Sequence, residues 1–334
     1  MAKILFRTSG GRIPKRELGL GHIYRCLNLG HQLKPHEIQF LIEDYGAVSS
    51  LLREHGFKKI TRLKPRIREN CDIKKTIEHV IKNKIDLLIV DKYGLTCKFV
   101  KSLKKFTKVI VISDLNHIQY DADLVVNGFI GFDNKIIHNK FGAKCLLGPR
   151  YQILNKQYVN RNKIRKKYDL LVTLGGFDAS NLLNIVLDKI FTYGKGLKTR
   201  VILGPATQKT DKIRRFERDY KKWLEVAPKT TNMKKEIASS KFGICAGGIT
   251  TYEFSSMQVP FAIICQYEHQ IITAREWAKR KIAKNLGFIQ NNEKKLDILL
   301  KQLVRNKIQL RSRKLVDGLG SKRVAEQILR LIVI

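Results

Sequence analysis

Residues 242–270 read FGICAGGITTYEFSSMQVPFAIICQYEHQ. A short apolar run, Phe242 to Cys245, breaks at Gly247 and Gly248 onto a helical pattern beginning near Thr250. A second apolar run, Phe261 to Cys265, meets a second helix near His269. A buried strand that turns at glycines onto a helix start aims unbonded N–H groups and the positive helix end at one spot. Phosphate is the usual occupant of such a spot. Glu253, three residues into the helix, is within reach of a sugar hydroxyl beside that phosphate. The run Thr250-Thr251-Tyr252-Glu253 also fits a capping box, in which the glutamate folds back onto its own helix start. Both roles stay open for Glu253. The stretch as a whole predicts a nucleotide or nucleotide-sugar site.

Outward from this stretch, strands alternate with helices along the chain, the pattern of a parallel sheet with crossover helices. Apolar runs at 3–7, 40–42, 59–63, 87–90, 109–112, 124–126 and 145–148 read as strands, with helices over 23–33 and 73–82 among those between them. Asn155 to Lys167 is polar and basic, with neither period, and reads as a linker. The alternation restarts with Leu170–Leu174, Gly175-Gly176 and a helix over 179–191, followed by a strand at 201–203. The C-terminal part, 293–331, is helical with a break at Gly318 and Gly320. The expected fold is therefore α/β, with two Rossmann-like domains, 1–154 and 168–334, facing each other across a cleft.

At 334 residues the chain is long for one domain. Its six cysteines form no C-x-x-C pair and have no histidine at zinc spacing, which predicts a reducing compartment and no structural metal. There is no run of about 20 apolar residues and no signal-peptide pattern, so a cytoplasmic protein is expected. The formal charge is +36, of which +14 lies in residues 1–150 and +22 in 151–334. Such an excess suits nucleic acid or an anionic membrane surface. No nucleic-acid-binding module accompanies it, and lysine pairs such as Lys74-Lys75 and Lys221-Lys222 are spread over helix faces. The preferred reading is a solvated surface suited to an anionic small-molecule substrate, with no specific nucleic acid and at most peripheral membrane contact. The residues carry no signal for an oligomeric state.

Ligands of such sheets sit beyond the carboxyl ends of the strands. That rule selects Gly21-His22 after the first strand, Asp91-Lys92-Tyr93 after the strand at 87–90, Asp114, Asn127, Gly175-Gly176-Phe177-Asp178, and the 247–253 turn. A histidine at a helix start is suited to act as a neutral proton acceptor, which makes His22 a candidate base; a cap or packing role is its other reading. Asp91 either orients a base or caps the next helix, and sequence alone favours the cap. Asp178, a carboxylate beside an expected phosphate turn, reads as a cap for the helix at 179.

The run Gly19-Leu20-Gly21-His22-Ile23-Tyr24-Arg25-Cys26-Leu27 resembles the first-loop motif of the UDP-sugar hydrolases of pseudaminic acid biosynthesis and of the related spore-coat polysaccharide proteins. The resemblance recurs in order at Asp91-Lys92-Tyr93-Gly94, Gly148 with Tyr151, Leu174–Asp178, Ala246–Glu253 and Asp317–Gly320 with Arg323, spanning residues 3 to 330. It implies the glycosyltransferase-B arrangement, shared with the lipid-II-forming N-acetylglucosaminyltransferases. It also implies that His22 is the base, that Gly247, Gly248, Ile249 and Thr250 hold the diphosphate with Thr251 beside them, and that Glu253 binds the ribose. His269-Gln270 stands where the hydrolases usually read Asn-Gln, Asn155 where they carry arginine, and the basic piece Gly11–Glu17 is extra. These differences bear on the sugar rather than on the nucleotide.

The expectation is a metal-independent enzyme without a cofactor, acting on a UDP-linked sugar and releasing UDP with His22 as the base. Asp91, Tyr93 and His269 are the other polar groups placed around the cleft. A glycosyltransferase of the same fold is the alternative, and a non-catalytic nucleotide-sugar or nucleic-acid binder the second.

Overall fold

The computed structural model describes residues 1–13, 16–46, 48–159, 164–176, 178, 181–204, 207, 209–228, 230, 232–310 and 315–332. Phe177, Ala179, residues 14–15 of the basic piece and residues 160–163 of the expected linker lie outside them. The chain forms two compact units, Met1–Lys156 with Gly318–Ile334, and Gln157–Asp317.

The first unit runs β1 (Lys3–Ile13), β2 (Arg16–Gly19), α1 (Gly21–Gln32), β3 (Glu37–Tyr45), α2 (Val48–Glu54), β4 (Ile60–Leu63) and α3 (Glu69–Asn83). It continues with β5 (Leu87–Asp91), α4 (Cys97–Lys104), β6 (Lys108–Ile112), β7 (Leu124–Asn127), β8 (Lys135–His138) and β9 (Lys144–Leu147). The sheet order is β4-β3-β1-β5-β6-β7-β9-β8, with β2 folded back on β1. All pairings are parallel except β1–β2 and β8–β9. Successive strand side chains point to opposite faces, so β1 serves two cores. Ile4 and Phe6 pack with Ile23 and Leu27 of α1, while Leu5 packs with Ile73 and Val80 of α3 and Phe99 of α4. The helical spacing of Ile73, Thr76 and Val80 is what turns α3 onto the sheet.

The second unit runs β10 (Tyr168–Thr173), α5 (Leu182–Tyr193), β11 (Thr199–Ile202), α6 (Asp211–Asp219), β12 (Leu224–Ala227), α7 (Met233–Ala238), β13 (Ser240–Ala246) and α8 (Thr250–Ser256). It ends with β14 (Phe261–Ile264), α9 (Glu268–Lys279), β15 (Ala283–Gly287) and α10 (Lys294–Val304). Its six strands are all parallel in the order β12-β11-β10-β13-β14-β15. The three strands that end at the expected site, β10, β13 and β14, are therefore neighbours at its centre.

The last helix, α11 (Gly320–Ile332), corrects the expected boundary. The sequence reading puts residues up to 334 in the second domain, whereas Gly318–Ile334 belongs to the first unit. Val324, Ala325 and Ile328 complete the apolar cluster of Ile4, Phe6 and Ile23, and Lys144 donates to Gln327 at 2.7 Å. Gly320 is required at the contact, because a Cβ there would lie 2.1 Å from the Gln152 carbonyl oxygen. The unit boundary at 156/157 falls inside the expected linker at 155–167. Helix α5 begins at Leu182, later than the expected 179. Strands β2, β8, β12 and β15 have no counterpart in the sequence reading; all are short, and β8, β12 and β15 are partly exposed, so their hydrophobic signal is weak.

Candidate functional site

In the first unit, polar groups converge at the carboxyl ends of β5 and β6. Gly21 opens α1, which places His22 in its first turn and Arg25 three residues on, along the same side of the helix. Asp91 ends β5, with no solvent exposure, and meets both. His22 Nδ1 is 2.6 Å from Asp91 Oδ1. Arg25 donates from Nε to Asp91 Oδ2 at 2.9 Å and from Nη2 to Oδ1 at 2.7 Å. Its outer edge forks onto Asp114, from Nη1 to Oδ1 and from Nη2 to Oδ2 at 2.9 Å. Burial works against the Arg25 charge, but Asp114 and Asp91 outweigh it and hold the guanidinium well above its ordinary range.

This arrangement replaces the capping role of Asp91. The following helix, α4, is capped by Thr96, whose Oγ1 accepts from the Phe99 amide at 3.1 Å. Asp91 instead orients an imidazole, and the side chain of His22 keeps 17% exposure. A carboxylate only accepts, so Nδ1 of the neutral ring carries the hydrogen and Nε2 carries the lone pair. Such a pair can take a proton from water or a hydroxyl. Tyr93 is 57% exposed, and its amide donates to Ser9 Oγ at 3.2 Å. Arg25 was missing from the sequence-derived candidates. An arginine three residues after a helix-start histidine, and so on the same side of the helix, was the available signal.

In the second unit the loops after β10, β11, β13 and β14 brace one another. Gln266 donates from Nε2 to the Leu174 carbonyl at 2.7 Å, tying the loop after β14 to the turn at Gly175 and Gly176. Gly175 has φ +84°, and a Cβ on Gly204 would meet the carbonyl oxygens of both Gly175 and Gly176 at 2.3 Å. Gly247 is equally constrained, since its Cβ would lie 2.7 Å from Gln270 Cβ. Gly248 faces open space. Among the described residues, no protein acceptor takes the amides of Gly248, Ile249 or Thr250. The glycine turn thus presents three consecutive free N–H groups, the arrangement expected from the sequence for an anion.

Helix α8 makes no capping box. Its N-cap is Ile249, with no side-chain cap bond, so Glu253 does not fold back. Glu253 has no ion-pair partner among the described residues and stays partly accessible. Burial pushes its carboxyl up to about 7, countered only in part by the neighbouring Tyr158 hydroxyl. That hydroxyl is itself buried without reaching hydrogen-bond geometry to any partner. Burial and the adjacent Glu253 push Tyr158 up as well.

Other expected site residues have structural work. Thr251 is fully buried, donating to the Gly248 carbonyl at 2.8 Å and accepting from Trp277 Nε1 at 3.1 Å. Gln270 is buried and accepts from the Gln266 amide at 2.9 Å. These two shape the turn rather than face outward. His269 is exposed and lies parallel to the Tyr267 ring, 5.6 Å between centroids. Asp178 caps α5 as expected, accepting from the amides of Leu182 at 2.7 Å and Leu183 at 2.9 Å.

Residues 170–328 match the glycosyltransferase family 28 C-terminal domain. An uncharacterised protein of Methanocaldococcus jannaschii is 27% identical over 76% of this chain, which spans about half (54%) of that relative's length. The spore coat polysaccharide biosynthesis protein SpsG of Bacillus subtilis is 28% identical over 92% of this chain and 93% of its own. A UDP-2,4-diacetamido-2,4,6-trideoxy-beta-L-altropyranose hydrolase of Campylobacter jejuni is 24% identical over 83% of this chain and 97% of its own. Among solved structures, Acinetobacter baumannii MurG superposes with a TM-score of 0.68 over 99% of this chain and all of its own, at 14% identity. S. aureus MnaA, solved with UDP, gives a TM-score of 0.63 over 100% and 98%, also at 14% identity.

Proposed function

We propose that this chain is a nucleotide-sugar hydrolase of the SpsG-like family with the glycosyltransferase-B fold, releasing UDP from a UDP-linked sugar. The observation that carries the reading is the His22–Asp91 pair: a partly exposed imidazole whose proton-bearing nitrogen is fixed by a buried carboxylate. In this reading Nε2 takes the proton of a water that attacks the anomeric carbon. The bond from that carbon to the diphosphate oxygen breaks, leaving UDP and the free sugar. Charge gathering on the leaving phosphate is met by the free amides of Gly248, Ile249 and Thr250. Glu253, as carboxylate, accepts from the ribose hydroxyls.

The resemblance to the altropyranose hydrolase supports hydrolysis. The match to a glycosyltransferase domain supports transfer, in which His22 would activate an acceptor hydroxyl instead of water. Incubation with a panel of UDP- and other nucleotide-sugars separates the two. Nucleoside diphosphate released without any acceptor supports hydrolysis. Release that depends on an added acceptor overturns it in favour of transfer.

A further inference from the structure

Tyr158 closes the short helical turn Lys156–Tyr158 and is only 1% exposed, yet its hydroxyl has no hydrogen-bond partner among the described residues. A buried hydroxyl without a partner is costly, and phenylalanine would fill the same apolar volume without that cost. Two polar side chains lie beside it, Gln157 and Glu253. Gln157 can give an amide hydrogen to the phenol oxygen, which leaves the phenol hydrogen for an acceptor. Glu253 is the acceptor at hand. It comes from α8 of the same unit, has no ion-pair partner among the described residues, and is partly accessible. A carboxylate only accepts, and a hydrogen bond to it is roughly twice as strong as one between neutral groups. The phenol ring is held by its packing, so rotation about the glutamate side chain is enough to bring an oxygen onto the hydroxyl.

We propose that Tyr158 is a positioning residue: its hydroxyl donates to one oxygen of the Glu253 carboxylate and leaves the other oxygen to accept from a ligand hydroxyl. The bond favours the ionised carboxyl, against the burial that pushes it up to about 7. Burial and Glu253 itself hold the phenol well above its ordinary range, so it remains a donor while Glu253 titrates. Among the described residues, the other titratable group facing Glu253 is Cys245 of β13. Burial and Glu253 keep that thiol protonated, and a thiol is a weak donor that does not replace the phenol.

The effect on UDP rests on the proposed role of Glu253 at the nucleotide, but the carboxyl can be read with no ligand present. The full chain, labelled with carbon-13 at the glutamate carboxyl, is titrated by carbon NMR, and Glu253→Gln identifies the signal. Wild-type Glu253 should titrate at about 7, and in Tyr158→Phe its midpoint should move to higher pH. With carbon-13 at tyrosine Cζ instead, one of the 11 tyrosines should shift in step with Glu253 and cease to do so in Glu253→Gln. UDP should bind Tyr158→Phe roughly three- to tenfold more weakly at pH 7, and the difference should close at higher pH, once both carboxyls are ionised. A loss of the same size at every pH overturns the inference in favour of a packing role. An unchanged Glu253 midpoint in folded Tyr158→Phe also overturns it. So does the absence of any tyrosine signal that follows Glu253, whether or not the variant folds. A midpoint and a tyrosine signal that respond as expected, with no UDP bound, support this inference and remove the nucleotide reading of the site.

Discussion

His22 Nδ1 lies 2.6 Å from Oδ1 of Asp91, a carboxylate at the end of β5 with no solvent exposure. A positioned base typically contributes a factor of about 10²–10⁴ to rate. Turnover in His22→Ala should fall by that factor with UDP affinity within a few-fold, because the proposed nucleotide contacts lie on other residues. Near-normal turnover in His22→Ala would move the search for the base to Tyr93 or His269.

Asp91→Asn removes the charge opposite two partners at once. Breaking a buried pair by removing one member costs about 3–5 kcal/mol, so this variant should melt well below wild type as well as lose activity. Asp114→Ala should melt much closer to wild type, since exposed pairs are worth about 0–1 kcal/mol. Equal melting temperatures for wild type and Asp91→Asn would show that Arg25 does not depend on Asp91.

Glu253 gives a pH signature. Its carboxyl, ordinarily near 4.5, sits at about 7 in the folded chain. A raised carboxyl favours folding fully below its unfolded value, and that contribution is lost as pH rises from about 4.5 through about 7. The total is on the order of 3 kcal/mol, because a tenfold change in proton affinity is worth about 1.4 kcal/mol. Chemical denaturation of Glu253→Gln should lack this slope. UDP binding should show the opposite trend, tightening as pH rises through about 7, because the ionised form accepts from ribose hydroxyls. In Glu253→Gln that dependence should flatten and affinity should drop by roughly 1.5–3 kcal/mol. Unchanged UDP affinity at every pH would remove Glu253 from the nucleotide site.

UDP should raise the melting temperature, and EDTA should leave the rise intact. A ligand that binds only the folded state adds about 2.7 kcal/mol at a hundredfold excess over its dissociation constant. Loss of the stabilisation in EDTA would mean that a divalent cation carries the diphosphate.

The +36 charge predicts weak, non-selective DNA binding that disappears by moderate salt, following counterion release. Tight association at about 0.2 M salt that competes with UDP would instead favour a nucleic-acid function.

The alternation of strand and helix, the glycine turns and the helix-start histidine were legible in the sequence because each is a local pattern. Buried strands such as Leu87–Asp91 are continuous apolar runs, and Gly247-Gly248 ahead of Thr250 marks a turn onto a helix. The cap at Asp178 was equally local, four residues from the amide of Leu182 that it serves. Partners distant in sequence were not legible. Asp91 meets residues 66 and 69 positions away, and a lone aspartate after a strand looks the same whether it caps a helix or holds an imidazole. Glu253 fits a capping box on paper, yet the helix starts at a residue with no capping side chain. The last helix carries an ordinary amphipathic pattern, which shows that it has an apolar face but not which core receives it. Only the packing of Val324, Ala325 and Ile328 beside Phe6 and Ile23 assigns α11 to the first unit. Local periodicity determines which elements form; the burial of their apolar faces and the pairing of buried charges, both tertiary, decide which residues share a site.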